Sequence, residues 1–81
     1  MDKLTQERER GHKARQILDN PVFQDAWSRM DANLVAVMSN PASVDEAVLE
    51  ARRGLIVLRR LKKEIEREFE TGNMANIQLN T

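Results

Sequence analysis

Cysteine is absent from this sequence, and histidine occurs once, at His12. These absences exclude a disulfide bond and a metal site built from histidine or cysteine ligands. A chain of 81 residues is short, and chains of that size bury only about 60% of their unfolded surface. Small domains usually add a disulfide, a metal or a partner subunit. We therefore expect self-association or a larger partner to supply the missing burial.

Long apolar runs are also missing. No run approaches the about 18 residues that a membrane span needs, so we expect no membrane contact. The N-terminal sequence MDKLTQERERGHK is charged and has no apolar core, which is not typical of a secretory signal. Thirteen basic residues balance thirteen acidic ones, and this zero net charge argues against a general coating of nucleic acid.

Catalytic motifs are missing as well. No serine stands at a recognisable motif spacing from His12, so the combination of nucleophile, base and orienting residue is absent. No glycine-rich phosphate loop is present. We therefore predict a non-enzymatic protein that uses no cofactor, no metal and no small molecule, and that functions by binding a macromolecule.

Prolines, glycines and capping residues divide the chain. Asn20 and Pro21 combine a favoured N-cap with a favoured first helical residue, so a helix should begin there. The turn-forming sequence SNPAS predicts a loop. Ser43, three residues before Glu46, predicts a capping box that opens the next helix. Gly72 suits the position just after a helix C-terminus.

These signals predict three helices, at about 4–18, 21–38 and 44–71, followed by a short C-terminal tail at 73–81. No segment alternates with the period of two that a strand needs. The second and third helices carry apolar residues at helical spacing, which favours packing on another helix. These are Phe23, Trp27, Met30, Leu34 and Val37, then Val44, Val48, Ala51, Leu55, Leu58, Leu61, Ile65 and Phe69.

We predict one all-α domain, in which helices two and three form an antiparallel hairpin beside an additional N-terminal helix. Such a hairpin leaves some apolar residues uncovered. Leu49 and Ile56 lie well round the third helix from its main stripe, and Val57 lies on another side again. The uncharged tail adds Ile77 and Leu79. We predict these five residues as a candidate protein interface, and the tail either folds back or docks into a neighbour.

Six basic residues form two neighbouring stripes on the third helix: Arg52, Arg53, Arg59, Arg60, Lys63 and Arg67. Because glutamates are interleaved with them, we interpret the stripes first as a solvated, ion-paired face. The alternative is a surface that follows the phosphates of duplex DNA. No aromatic residue interleaves with these cations, which argues against stacking on single strands.

Lys62 and Trp27 each leave two interpretations open. Lys62 falls inside the apolar stripe, where we expect its stem to lie along the core edge with the ammonium in water. The alternative role for Lys62 is the selection of register or partner. Trp27 is either a core anchor or an interface anchor.

Two blocks of the sequence resemble a family of small, uncharacterised proteins of tailed phages and prophages. The first block, ARQILDNPVFQDAW, matches at Ala14, Ile17, Leu18, Asn20, Pro21, Phe23, Ala26 and Trp27. The second, FETGNMANIQL, matches at Glu70, Thr71, Gly72, Ala75, Ile77 and Leu79. The genes of that family lie among those for virion structure and DNA packaging, and the family has no assigned catalytic residues.

The resemblance implies a phage-encoded protein in the cytoplasm of a bacterial host or in the virion. We therefore predict an interaction protein that self-associates or docks on a larger phage protein, and that assists head or connector assembly or DNA packaging. The alternative is a small duplex-DNA-binding accessory or regulatory factor that uses the basic residues of helix three. An inhibitor of a host enzyme is a third class that stays open.

Overall fold

The computed structural model describes residues 2–81, and in this range it contains three α-helices and no strand. The helices are α1 (Lys3–Leu18), α2 (Pro21–Ser39) and α3 (Asp45–Leu79). The all-helical prediction is confirmed. With 35 residues, α3 is about 50 Å long at 1.5 Å per residue. It therefore spans most of the 57 Å length of the molecule.

The start of α2 follows the local sequence signal. The Asn20 side chain accepts hydrogen bonds from the backbone N–H groups of Val22 and Phe23, at 2.9 and 3.1 Å. Pro21 occupies the first turn of the helix, where its missing N–H costs nothing. Asn20 and Pro21 therefore account for the start of a new helix at this point in the chain.

The predicted capping box at the start of α3 is wrong. The N-cap residue is Val44, and no side chain accepts a capping hydrogen bond. Asn40 organises the turn instead: its side chain accepts from the Ala42 N–H at 2.9 Å, and its carbonyl accepts from the Ser43 N–H at 3.0 Å. Glu46 remains in the first turn of α3, where a negative charge stabilises the helix dipole.

Both shorter helices pack on α3, and they follow one another along it. Gly11 of α1 lies against Gly72 in the C-terminal half of α3. Trp27 of α2 donates its indole N–H to the Leu58 carbonyl at 3.2 Å, and Leu34 lies beside Gly54. The core is a thin seam between these layers, and its buried apolar residues are Ala14, Ala51, Leu55, Leu58 and Ala75.

The predicted tail at 73–81 is wrong, because α3 continues through it to Leu79. Gly72 does not end the helix, and no glycine of the described residues has a positive φ. Its role is to let α1 approach: a Cβ atom built on Gly72 would lie 2.5 Å from the Cα of Gly11. Beyond this crossing, Ala75 is buried to 1% exposure, so α3 stays helical where α1 covers it.

Candidate interaction surfaces

The buried core is small compared with the accessible surface of the molecule. Among the described residues no large side chain is fully buried. The accessible surface is 6406 Å², whereas a compact monomer of 9.3 kDa would expose about 5000 Å². The radius of gyration is 17.2 Å, against about 12 Å for a compact domain of this length. The molecule therefore carries roughly 1400 Å² more surface than a compact monomer would.

The five candidate interface residues do not form one surface. Leu49, Ile56, Val57 and Ile77 are 48%, 49%, 65% and 58% exposed, whereas Leu79 is half-buried. Successive residues of a helix point about 100° apart, so Val57 faces a different side from Ile56. By the same geometry Leu49, seven residues away, shares the side of Ile56. The candidate set is therefore divided among separate sides of α3.

The side of α3 that carries Leu49 and Ile56 is mainly basic. No acidic side chain of residues 2–81 lies within 4.0 Å of four of its cations, which are Arg52, Arg53, Arg60 and Lys63. We call these four residues the basic face. They interrupt the apolar surface of Leu49 and Ile56, so this side of α3 presents charge and apolar groups alternately.

The other two predicted cations are ion-paired. Arg59 donates two hydrogen bonds to the Asp31 carboxylate of α2, at 2.9 and 3.3 Å. These hydrogen bonds lower the pKa of Asp31 from its ordinary value and raise that of Arg59. Arg67 lies 3.4 Å from Glu64, one turn before it. The ion-paired interpretation of the stripes therefore holds for these two residues and not for the basic face.

Lys62 and Trp27 lie together, which the sequence did not reveal. The Lys62 ammonium lies 4.1 Å from the centre of the Trp27 ring, a distance at which a cation is attracted to the indole face. Trp27 is half-buried between α2 and α3 and also donates to the Leu58 carbonyl. Lys62 is half-buried at the edge of the seam, as expected, and α2 supplies an aromatic partner for its ammonium. Trp27 acts as an anchor within the chain.

A second exposed surface is apolar and runs along one side of the seam. We call it the apolar flank, and its members are Ile17 of α1, Met30 of α2, and Val57 and Leu61 of α3. Their exposed fractions are 44%, 55%, 65% and 53%. Met30 and Leu61 belong to the stripes that were expected to face a partner helix, so for them that expectation is wrong.

The geometry of the helices places these four residues on one side. Ile17 lines a groove with Ile65, and Leu61 lies one turn before Ile65 on the same row of α3. On α2, Trp27 faces α3 and Asp31 reaches Arg59 on one side of the seam. Met30, one position before Asp31, consequently lies towards the opposite side, which is that of Val57 and Leu61.

The grooves of the molecule are shallow. One of about 520 Å³ lies between α1 and α3, with His12, Phe69 and Asn73 among its lining residues. In residues 2–81, no group of three or more histidine, cysteine, aspartate or glutamate side chains could hold a metal ion. Of the helices in this range, none is both long enough and apolar enough to cross a membrane.

Comparisons of the chain with protein-family models, with curated proteins and with solved structures find no match. The basic face and the apolar flank are therefore the two surfaces of the structure that bear on function.

Proposed function

We propose that this chain is a non-enzymatic interaction protein that functions as an assembly of several copies. In each copy, α2 and α3 form an antiparallel hairpin, and α1 extends that layer along α3. Two contacts support the antiparallel arrangement, because the contacting residues follow opposite orders along α2 and α3. Trp27 reaches Leu58, and further along α2 Leu34 reaches Gly54, which precedes Leu58 on α3.

The single observation that carries this proposal is the excess of surface over core. A standard protein interface buries about 800 Å² on each partner, and the chain exposes more than that beyond a compact monomer. Within residues 2–81, three of the five buried apolar residues are alanines, which contribute little burial each. Association with another copy would bury the large apolar side chains that this fold leaves at its surface.

The resemblance to small tailed-phage proteins suggests where such an assembly would act. We propose a phage-encoded protein that assists head or connector assembly or DNA packaging, either by self-association or by docking on a larger phage protein. It would act in the host cytoplasm or become part of the virion. Exposed apolar side chains on α3 suit such docking.

Thermal unfolding at several protein concentrations tests self-association. If the folded state is an oligomer, its melting temperature depends on concentration. For a chain of this size we expect a rise of about 3–5 °C for each tenfold increase in concentration. A melting temperature that is the same over a hundredfold range would contradict the proposal.

A second function is supported by the basic face. Arg52 and Arg53 lie about two turns of α3 before Arg60 and Lys63, and all four lack acidic partners among the described residues. An array of free cations along a helix can contact the phosphates of duplex DNA, and each contact releases counterions. The second candidate is therefore a small duplex-DNA-binding accessory or regulatory factor.

Retention on duplex DNA in low salt tests this second function. We expect wild-type retention to fall steeply as salt increases, with a slope that reflects about three to four phosphate contacts. The variant carrying Arg53→Glu and Arg60→Glu should lose retention. The matched control carries Arg8→Glu and Lys13→Glu, two exposed residues of α1, with the same change of charge away from the basic face. Equal losses in both double variants would show that net charge, and not this surface, is responsible.

A further inference from the structure

One row of α3 residues on the apolar flank has the spacing of a helix-pairing surface. The row contains Glu50, Gly54, Val57, Leu61, Glu64 and Glu68. The steps alternate between four and three residues, which is the spacing that keeps side chains facing a neighbouring helix. Val57 and Leu61, at its centre, are 65% and 53% exposed. Neither α1 nor α2 therefore covers the centre of this row.

The spacing of this row is the same in both directions, and its two central residues are both apolar. Reversing α3 about its residue 59 exchanges Val57 with Leu61, Gly54 with Glu64, and Glu50 with Glu68. A second α3 can thus lie antiparallel against the first and place apolar side chains opposite one another. Homodimers with twofold symmetry need this kind of self-complementary surface.

We infer that the apolar flank is the contact surface between two copies of this chain, with their α3 helices antiparallel about a twofold axis between Val57 and Leu61. This inference rests on the self-association proposed above and specifies its surface. Val57 of each copy packs on Leu61 of the other. Met30 of α2 and Ile17 of α1 border the row and extend the apolar contact.

The charges at the edges of the row fit this arrangement. Arg53 is exposed and has no acidic partner among the described residues. In the pair it approaches Glu64 of the second copy, a carboxylate whose one cationic neighbour within residues 2–81 of its own chain is Arg67, at 3.4 Å. Glu50 approaches Glu68 of the second copy, where Arg10 already lies 2.9 Å from that carboxylate. The Arg53–Glu64 contact is therefore attractive, and Arg10 offsets the like charges of Glu50 and Glu68.

The basic face does not fit a second copy in the same way. An antiparallel pair formed through that side and centred on Ile56 would bring Arg52 of one copy towards Arg60 of the other. Like charges brought together across an interface are destabilising. Two copies therefore pair through the apolar flank, which leaves Arg60 and Lys63 facing solvent.

Two charge substitutions on the full chain test the surface. Leu61→Glu would bury an unpaired carboxylate at the dimer centre, so we expect its dissociation constant, measured by sedimentation, to rise more than about 100-fold. Ile56→Glu is the matched control, since Ile56 is 49% exposed on the basic face, and we expect the wild-type constant. Circular dichroism should show unchanged helix content in both, because neither side chain is buried.

A charge exchange tests the register. Arg53→Glu and Glu64→Arg should each weaken association by about fivefold, and the double variant should return to near the wild-type constant, because the pair is re-formed with reversed charges. Effects that simply add in the double variant would overturn the antiparallel register.

The outcomes separate this inference from the broader proposal. If Leu61→Glu remains associated, or if Ile56→Glu alone dissociates, the apolar flank is the wrong surface although the chain still self-associates. If the wild-type chain is a monomer at every concentration, both the inference and the proposed self-association fail.

Discussion

At the residue scale, two glycines determine how α1 meets α3. A Cβ atom on Gly11 would lie 2.6 Å from the Cα of Gly72, and one on Gly72 would lie 2.7 Å from the carbonyl oxygen of Glu7. These neighbours are backbone atoms of the facing helix, so they cannot move aside as a flexible side chain would. The two helices consequently approach to backbone contact at this crossing.

Alanine substitution at this crossing should destabilise the protein although alanine favours helix. We expect Gly72→Ala to lower the free energy of unfolding by about 1–3 kcal/mol, because the added methyl group forces the helices apart. Urea unfolding at a fixed protein concentration measures the change. Gly11→Ala should have the same sign.

Gly54→Ala is the matched control for that prediction. Its added Cβ would meet only the Leu34 side chain, at 3.4 Å, and it would gain helix propensity. Stability should therefore stay the same or rise by up to about 1 kcal/mol. If Gly72→Ala were as harmless as Gly54→Ala, the close crossing of α1 and α3 would be wrong.

The roles of these glycines could not be predicted from the sequence. A glycine before an uncharged segment is typical of a helix end, and the same residue also permits a close helix crossing. The distinction depends on Gly11, which lies far away in sequence. The Lys62–Trp27 contact was missed for the same reason, because α2 supplies the aromatic ring. Asn20 was predicted correctly because its hydrogen-bond donors lie two and three residues away.

At the element scale, α3 is longer than the sequence pattern indicates. The helical pattern of apolar and charged residues ends near Phe69. The uncharged segment that follows has no amphipathic pattern that would predict a helix. In the structure this segment is helical because Ala75 fits beneath α1 at 1% exposure. Of the residues predicted as an interface, Leu49, Ile56, Val57 and Ile77 are exposed in the structure. Their division between two sides of α3 depends on where α1 and α2 lie.

Truncation tests the dependence of α1 on the end of α3. Deletion of residues 73–81 removes Ala75 and the surface on which the N-terminal half of α1 packs. We expect a loss of helical circular dichroism greater than the deleted residues account for, because α1 is too short to be stable alone. Deletion of only Asn80 and Thr81, which lie beyond α3, is the control. Equal loss per deleted residue in both variants would show that α1 does not depend on this contact.

At the scale of the whole molecule, shape and burial lead to the same conclusion. The chain measures 57 × 22 × 18 Å, and two layers of helix cannot enclose a core of large side chains along such a length. The apolar flank leaves Val57 and Leu61 exposed at the middle of α3. A second copy on that flank would convert the two-layer seam into a four-helix cross-section there, which is a common way for helices to bury such residues.

The most direct test of self-association is the solution mass of the purified chain, measured by light scattering over a dilution series in moderate salt. The monomer mass is 9.3 kDa. We predict a mass twice that value at high concentration, with a transition towards the monomer on dilution. A single mass of 9.3 kDa throughout the series, together with cooperative unfolding, would contradict the account.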